Sequence, residues 1–432
     1  MKMLTPTNTS SEKTVSGATS SQPARICMHV QGIVRTDPRV MREAGALVEA
    51  GFAVTVVDIE GDSHRPATEN IQGVHVKHMT MPGWYISTPF PWSLFKAAWM
   101  FLRTTLLLMR TPADIYHAHD VPALPASYIA ARLRRKPLLF DAHELPLSEM
   151  PLSKMSRSRR TIHPLLTRLF ARMVPHCAGI IATSSPMADE ISEHYHYPGV
   201  SVVRNFPMYQ TVEKNDRLRQ HLGLGPDVRI ALYQGNIQPD RELDRLIRAA
   251  SFLEQNIVIV MMGKADPATL SQLEALIASE RVADRVKIMP PVPYEELLDW
   301  TASADIGLSV LPLNYTAHLN VCLPNKLFEY MMVGVPVLVS SLEAMAEVIQ
   351  RYNIGCILPS LTPSGVGASI NTMLADPVAL VRMRRNELKA SQQEFCWDKE
   401  RQQLIDLYQK VLPSVDAKEE QPKILDDQKL DA

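Results

Sequence analysis

Residues 320–339 read Asn-Val-Cys-Leu-Pro-Asn-Lys-Leu-Phe-Glu-Tyr-Met-Met-Val-Gly-Val-Pro-Val-Leu-Val, and this stretch decides the fold. Pro324 suits the first turn of a helix, where a missing N–H group costs nothing. Gly334 predicts the end of that helix, and Pro336–Val339 predict a short buried strand. A helix between a loop and a buried strand is typical of an α/β protein, and its N-terminus is open to a ligand.

The start of this helix suits a nucleotide diphosphate. Its free N–H groups attract anions such as phosphate. Lys326 and Glu329 are three residues apart and share one helix face. The lysine would offset phosphate charge, and the carboxylate would accept hydrogen bonds from ribose hydroxyls. The alternative interpretation is an ordinary ion pair on the protein surface.

The stretch resembles the C-terminal signature of the family 4 glycosyltransferases, retaining enzymes of GT-B fold that use nucleotide-activated sugars. In that signature two glutamates precede a helix and a Gly-x-Pro-Val strand. Glu329 matches the second glutamate, whereas Val321 stands in place of the first. The resemblance implies a donor site that also includes four neighbouring residues, Asn320, Leu323, Pro324 and Asn325.

Length and composition limit the possible classes of protein. The 432 residues allow two domains and two tails. The 45 basic and 46 acidic residues argue against nucleic acid as the main partner. The five cysteines are scattered, without a C-x-x-C pair, which indicates a reducing, cytoplasmic compartment and predicts neither a structural zinc site nor a disulfide framework.

Both ends of the chain are predicted to be disordered tails. Residues 1–24 are rich in Ser and Thr and lack the apolar region of a secretory signal, and 413–432 are highly charged. The longest apolar segment, Trp92–Met109, contains Lys96 and Arg103. Each would cost about 2.5–3.5 kcal/mol near a bilayer centre, so no membrane span is predicted.

Residues 25–207 are predicted to form a Rossmann-like domain on the acceptor side. Strands at 25–30 and 53–58 flank a helix that begins at Asp37-Pro38, so the segment forms a βαβ unit. The first turn contains Gly32 but no G-x-G-x-x-G motif, which argues against dinucleotide binding. Asp37-Pro38-Arg39-Val40 resembles a stretch in one branch of family 4, and the resemblance places the Gly32 loop at the active-site cleft.

Polar residues follow two later strands, at 115–118 and 138–142. His119 and Asp120 end the first strand, and His143 and Glu144 follow the second. Ligands bind beyond the carboxyl ends of such strands, so these side chains could line one crevice on the acceptor side. His117 and His119 share one strand face, but without a third ligand the pattern does not predict a metal. The family resemblance directs His143 toward the donor sugar.

The segment between Met150 and Asp189 contains no acidic residue and carries a helical apolar stripe from Ile162 to Val174. One interpretation is a helix docked on the sheet with a solvated basic face. The other is a surface that approaches anionic lipid, because basic amphipathic helices lie at membrane interfaces.

After a linker predicted at 208–226, residues 227–394 are expected to form a second Rossmann-like domain that binds the nucleotide sugar. The resemblance directs Arg241 toward the pyrophosphate, while Asn236, after Gly235, replaces a family arginine. Backbone can approach a ligand at Gly263, and the family cradles the nucleobase in the loop that contains Val292. Residues 395–412 resemble the terminal GT-B helix that returns to the first domain.

The whole pattern predicts a GT-B glycosyltransferase. It would move a sugar from a nucleotide-sugar donor to an envelope-glycan or lipid-linked acceptor, with retention at the anomeric carbon. No D-x-D sequence lies in the folded part, which favours a reaction without a metal or another cofactor. His143, Lys326 and Arg241 are the predicted catalytic residues. The expected location is the cytoplasm, with an anionic membrane surface as a possible partner.

Two other functions remain open at this point. One is epimerisation of a nucleotide sugar by an enzyme of the same fold. The other is a degenerate, non-catalytic protein that still binds the nucleotide sugar, an interpretation supported by Val321 and Asn236. The sequence identifies neither the sugar, the base nor the acceptor.

Overall fold

The structure, a computed structural model, describes residues 22–60, 65–80, 92–143, 157–313 and 323–412, and only the backbone of 92–94, 157–163 and 166. Two mainly parallel sheets form two Rossmann-like domains, which confirms the predicted GT-B fold class. Asn320, Val321 and Glu144 lie outside the described residues, as do most of the predicted tails.

The first sheet has eight strands. They are β1 (Arg25–Val30), β2 (Ala53–Glu60), β3 (Thr68–Ile71), β4 (Val74–Thr80), β5 (Ile115–His119), β6 (Leu138–Ala142), β7 (Gly179–Ala182) and β8 (Ser201–Val202). Their order is β3-β4-β2-β1-β5-β6-β7-β8, and only β3 runs antiparallel to its neighbour. The sequence pattern did not reveal β3, because this half-exposed edge strand has polar residues and no apolar run.

Helices cover both faces of this sheet. They are α1 (Pro38–Glu49), α2 (Trp92–Arg110), α3 (Asp120–Arg134), α4 (Arg157–Met173) and α5 (Ser185–Tyr195). The Asp37 side chain accepts hydrogen bonds from two N–H groups of the first turn of α1, as the Asp-Pro pair predicts. The core of one sheet face includes α1, whereas the core of the other includes residues of α2, α3, α4 and α5. Among the described helices, none combines the length and apolar character needed to cross a membrane.

The second sheet has six strands, all parallel. They are β9 (Arg229–Gln234), β10 (Ile257–Met262), β11 (Val286–Met289), β12 (Ile306–Ser309), β13 (Val337–Val339) and β14 (Gly355–Ile357), in the order β11-β10-β9-β12-β13-β14. Its helices are α6 (Arg217–Leu222), α7 (Asp244–Ala249), α8 (Pro267–Glu280), α9 (Leu297–Thr301), α10 (Asn325–Val333), α11 (Glu343–Tyr352), α12 (Pro363–Leu374) and α13 (Pro377–Gln393). The segment 208–226 differs from a plain linker, because α6 buries Leu218 in the second core.

The helix predicted in the opening stretch is α10. It begins one residue later than expected, with Pro324 at the N-cap in extended conformation and without a side-chain cap. Gly334 ends it in the left-handed conformation, φ 65°, as predicted. Tyr330 packs on Gly307 of β12, where an added Cβ would lie 2.5 Å from the ring. Its hydroxyl accepts the Gln234 N–H (3.1 Å) and donates to the Leu232 carbonyl (2.8 Å), which fixes α10 above the end of β9.

The chain passes between the domains near Phe206 and again near Phe395. The Phe206 ring lies 5.4 Å from that of Phe395 and 4.4 Å from that of Phe328. The Trp397 N–H donates to the Pro207 carbonyl at 2.9 Å. From there α14 (Trp397–Val411) runs back over the first domain and buries Leu404 and Tyr408 in its core.

Candidate functional site

A cavity of about 430 Å³, here called the donor cavity, lies beyond the carboxyl ends of β9 and β10. This is the position where open α/β sheets bind ligands, and the volume is in the range of small-molecule sites. The predicted donor residues in its lining are Gly235, Asn236, Arg241, Gly263, Val292, Pro324, Asn325, Lys326 and Glu329. Pro38 of α1 joins them from the first domain.

Two other predicted donor residues do not line this cavity. Leu323 lines a neighbouring cavity and not this one. Gly32 lines neither cavity; its carbonyl accepts a hydrogen bond from the N–H of Ile59 at 3.2 Å. Asn320 lies outside the described residues. The proposed donor site therefore depends on the ends of β9 and β10 and on the start of α10.

Lys326 is the cation at the uncapped start of α10. Its Nζ lies 3.7 Å from the centre of the Tyr233 ring, a cation–π contact that holds the side chain along the cavity wall. Burial and the nearby charge of Arg241 lower the pKa of Lys326 to about 7, while Glu329 opposes the shift. Two cations and free helix N–H groups thus face one space, an arrangement suited to a diphosphate.

Glu329 lies one turn deeper on the same helix. Its carboxylate accepts a hydrogen bond from the Gln234 amide, and that amide oxygen in turn accepts one from Thr301 at 2.7 Å. Burial raises the pKa of Glu329, although Gln234, Lys326 and Arg42 each act to lower it. The side chain is therefore fixed in orientation and still lines the cavity, where it can accept further hydrogen bonds.

Glycine backbone closes the floor of the donor cavity. Gly235 has φ 119°, which disfavours any other residue. A Cβ added to Gly263 would lie 1.7 Å from the Gly235 carbonyl oxygen, so the ends of β9 and β10 approach as closely as backbone allows. A ligand on this floor would approach the main chain of Gly235 and Gly263, with the end of the Lys326 side chain beside Gly235.

The histidine cavity, of about 280 Å³, lies beside the donor cavity and shares Pro38 and Asn325 with it. His143 lines it from the end of β6, together with residues of the loop before α1 and Arg204. His143 therefore faces the space next to the donor cavity from the opposite domain, as the family resemblance implies for a histidine that points at a donor sugar.

Asp141 holds His143 from below. One oxygen, Oδ2, accepts hydrogen bonds from His143 Nε2 (2.9 Å), Arg39 Nε (2.7 Å) and His119 Nδ1 (3.2 Å). Burial alone would raise the pKa of Asp141, but Arg39 and His143 hold it well below its usual range. For His143, burial lowers the pKa and the charge of Asp141 raises it, and the net shift is upward. The buried carboxylate thus orients the imidazole and favours its protonated form.

The predicted acceptor-side residues are not all in the crevice. His119 is fully buried below His143, with ring centres 5.7 Å apart, and lines neither cavity. Asp120 is half-buried with φ 67°, its carboxylate turned back to the N–H of Val121, and it also lines neither cavity. Glu144 lies outside the described residues. Direct contact of His119 with an acceptor is therefore wrong, because α1 and the sheet enclose it.

The sequence reasoning missed several site residues. Arg42 of α1 donates to the Tyr294 hydroxyl (3.2 Å) in the other domain and to Asn205. Gln234 and Tyr233 position Glu329 and Lys326. Only Asp141 could have been found from the sequence. Alternate residues of a strand lie on the same face, and Asp141 is two positions before His143.

One buried cluster has the residue types of a metal site. Glu43, His117, His119 and Asp141 each offer a ligand atom, and these atoms lie within 4.8 Å of one another. This cluster lies below the cavities and lines neither of them, so it does not bear on the predicted sugar transfer. The absence of a catalytic metal stays a prediction.

Comparison with known proteins matches both halves of the chain. The profile described as Glycosyltransferase Family 4 matches residues 39–206, and that described as Glycosyl transferases group 1 matches 214–410. A D-inositol 3-phosphate glycosyltransferase from Thermobispora bispora is 26% identical over 372 residues, covering 81% of this chain and 83% of the relative. Another, from Jonesia denitrificans, is 21% identical and covers 90% and 96%.

Solved structures share the fold. Sucrose-phosphate synthase from Thermosynechococcus elongatus has a TM-score of 0.69 at 18% identity and covers 90% of this chain and 99% of its own. HepE from Anabaena, in complex with UDP-glucose, has a TM-score of 0.66 at 15% identity and covers 89% and 99%. With both halves matched and the architecture shared, the chain belongs to the family 4 glycosyltransferases of the group 1 type and has the GT-B fold.

Proposed function

We propose that the protein transfers a sugar from a nucleotide-sugar donor to an envelope-glycan or lipid-linked acceptor, with retention at the anomeric carbon. It would use neither a catalytic metal nor a cofactor besides the donor. The observation that carries the proposal is the donor cavity, where Arg241 and the start of α10, with Lys326 and Glu329 on one face of that helix, line the same space. That HepE was solved with UDP-glucose supports a nucleotide sugar as the donor.

The phosphate end of the donor would lie at the start of α10. As the sugar departs, negative charge grows on the leaving diphosphate. Lys326, Arg241 and the helix N–H groups would stabilise that charge without a metal, and such preorganised stabilisation is usually the largest catalytic contribution. Glu329 would accept hydrogen bonds from the ribose.

The sugar would extend from the donor cavity toward the histidine cavity, since the two share Asn325. With Nε2 bonded to Asp141, His143 has only Nδ1 left to contact the sugar. Asp37, the carboxylate among the described residues that line this cavity, accepts the two capping hydrogen bonds of α1 through Oδ1. We assign no protein nucleophile to the proposed retaining reaction.

A membrane-bound acceptor is supported by the outer surface of α2, α3 and α4, which pack on the same sheet face. Large apolar side chains are exposed there, including Phe95 at 69%, Leu133 at 63% and Leu165 at 66%. Arg168 and Arg172 are exposed on α4, the helix that carries Leu165. Exposed apolar side chains with arginines on the same helix suit the interface of an anionic membrane. The enzyme would act at its cytoplasmic face.

The test is an assay for released nucleoside diphosphate. A panel of nucleotide sugars is combined with lipid-linked glycans and with D-inositol 3-phosphate, the acceptor named for the relatives. We expect release only when an acceptor is present, an unchanged rate after brief EDTA treatment, and an NMR spectrum of the product that shows the donor's anomeric configuration.

Each contrary result has a defined meaning. A changed sugar in the absence of acceptor would indicate an epimerase, and nucleotide binding without any product would indicate a degenerate binding protein. Loss of activity in EDTA with recovery in Mg²⁺ would overturn the proposed mechanism. As a control, His143→Ala should reduce turnover while nucleoside diphosphate affinity stays near that of the wild type, because His143 belongs to the opposite domain.

A further inference from the structure

The fold gathers two histidines and two carboxylates under the cleft. His117 and His119 share one face of β5, and Asp141 of β6 stands in register beside His119 on that face. Glu43 of α1 covers them from above. One ligand atom from each of the four residues lies within 4.8 Å of the others.

Several polar atoms in this cluster have no hydrogen-bond partner. They are Nε2 of His117, Nε2 of His119 and both carboxylate oxygens of Glu43. All three residues are 0% exposed. Buried polar atoms are rarely left unpaired, so each of these atoms requires an explanation. Two imidazole lone pairs and a carboxylate in one enclosed space are the donors that a divalent metal prefers.

Hydrogen bonds through Nδ1 already orient both histidines. The Tyr408 hydroxyl lies 2.6 Å from Nδ1 of His117, and Oδ2 of Asp141 lies 3.2 Å from Nδ1 of His119. When Nδ1 of each ring donates its proton outward, Nε2 is left as the free lone pair. Histidines that bind metals show this arrangement, with the second nitrogen bonded to a carboxylate or another oxygen.

One carboxylate of the cluster, that of Glu43, lacks a hydrogen bond. Arg39 donates to both oxygens of Asp141, and its Nε lies 3.1 Å from Oε1 of Glu43. One guanidinium thus serves two buried carboxylates. Asp141 is saturated by its donors, whereas Glu43 keeps an ion-pair contact but no hydrogen bond. A buried carboxylate without a hydrogen bond is costly, and either a proton or a bound metal ion would satisfy it.

We propose that Glu43, His117 and His119 bind a structural divalent metal, zinc by the type of ligands, with Asp141 and Tyr408 as the outer partners that orient the histidines. The metal would tie α1 to β5 below His143. The cysteine pattern and the H-x-H motif alone predicted no metal, because no third ligand had an assigned place. The fold supplies that ligand from α1. The site shares Asp141 with the network that holds His143, and we assign the metal no step in the proposed sugar transfer.

The test uses the full chain without an affinity tag, expressed in defined medium with added zinc and dialysed against metal-free buffer. Elemental analysis should find about one zinc per chain. Glu43→Gln and His119→Gln should reduce this content about tenfold or more. The matched control is His29→Gln, since His29 is an equally buried histidine in β1 that is not part of the cluster and should leave the zinc content unchanged.

Cobalt gives a second readout, the visible absorption of the bound metal ion. Wild-type protein loaded with Co²⁺ should show the visible absorption of a low-symmetry histidine–carboxylate site, and the two cluster variants should lack it. Wild-type protein that takes up neither zinc nor cobalt would overturn the proposal and indicate a protonated Glu43. Equal metal content in the wild type and in folded Glu43→Gln would also overturn it, with folding checked by circular dichroism.

Discussion

The two domains use charge in opposite ways at the carboxyl ends of their sheets. In the second domain, Lys326, Arg241 and Glu329 line an open cavity. In the first domain, Asp141 is fully buried, and its oxygens accept hydrogen bonds from Arg39, His119 and His143. Two similar sheets thus carry different sites. The second domain has an open cavity lined with charged side chains, and the first has a buried hydrogen-bond network that orients His143.

This difference predicts what substitution should do in each place. Removing a charge from the open cavity should weaken ligand binding and leave folding nearly intact. Removing one from the closed network leaves its partner buried and unpaired, which should affect folding first. The following experiments separate the two expectations.

The largest effect should come from Asp141→Ala. The change removes the carboxylate that accepts two hydrogen bonds from the Arg39 guanidinium, 4% exposed, and leaves that guanidinium only its contact with Glu43. Breaking a buried ion pair costs about 3–5 kcal/mol, so the urea midpoint of the first domain should fall sharply. The matched variant, Glu329→Ala, should change the free energy of unfolding by less than about 1 kcal/mol. Equal losses in the two variants would refute the contrast between the domains.

Glu329→Ala should instead lower donor affinity. Loss of charge-assisted hydrogen bonds to the ribose costs about 1.5–3 kcal/mol, which corresponds to roughly 10- to 100-fold in Kd. Calorimetry with nucleoside diphosphates measures this effect. Glu329→Gln, which keeps an acceptor oxygen but no charge, should give an intermediate value. If Glu329→Ala and Lys326→Ala each bound nucleoside diphosphates with wild-type affinity, α10 would be only structural.

The donor cavity should also respond to pH. Lys326, with a pKa of about 7 in the free protein, loses its charge as the pH rises through that value. A bound diphosphate favours the charged lysine and raises its pKa, so binding takes up a proton above pH 7.

Affinity for nucleoside diphosphates should therefore be greatest below pH 7. Above it, affinity should fall by up to about tenfold per pH unit until the pKa of the complex is reached. Lys326→Arg should flatten this profile, because arginine stays charged. An equally steep profile in Lys326→Arg would assign the titration to another group.

The smallest effect concerns the outer surface of the first domain. Each arginine near an anionic membrane contributes about 1 kcal/mol, so Arg168→Gln should weaken binding to phosphatidylserine vesicles about fivefold at low salt. Arg382→Gln, also exposed but in the second domain, is the control and should have no effect. If the wild-type protein does not bind such vesicles, the membrane proposal is wrong.

The sequence predicted the architecture well, because buried strands and helix stops are local signals. Gly334 and the Pro336–Val339 run marked the end of α10 and the following strand, and both are confirmed. The edge strand β3 and the start of the second core at α6 were missed. Both depend on which neighbours a polar segment meets, and a linear pattern does not contain that information.

The site was predictable only in part, and for the same physical reason. Residues of one short helix, such as Lys326 and Glu329, were found because helical spacing places them on one face. Asp141, the partner of His143, is only two residues away, but Arg39 was missed because it lies 102 residues from Asp141 along the chain and meets it only in the fold. A buried position such as that of His119 also depends on α1 covering the sheet.

The two crossings between the domains have a mechanical consequence. Because the Trp397 N–H bonds to the Pro207 carbonyl and Phe206 contacts Phe395, both covalent connections pass through one small region. Two adjacent attachment points act as a hinge and leave rotation about a single axis as the easiest relative motion. Opening and closing of the cleft would then change the separation of His143 and α10 while the interior of each domain moves as a rigid body.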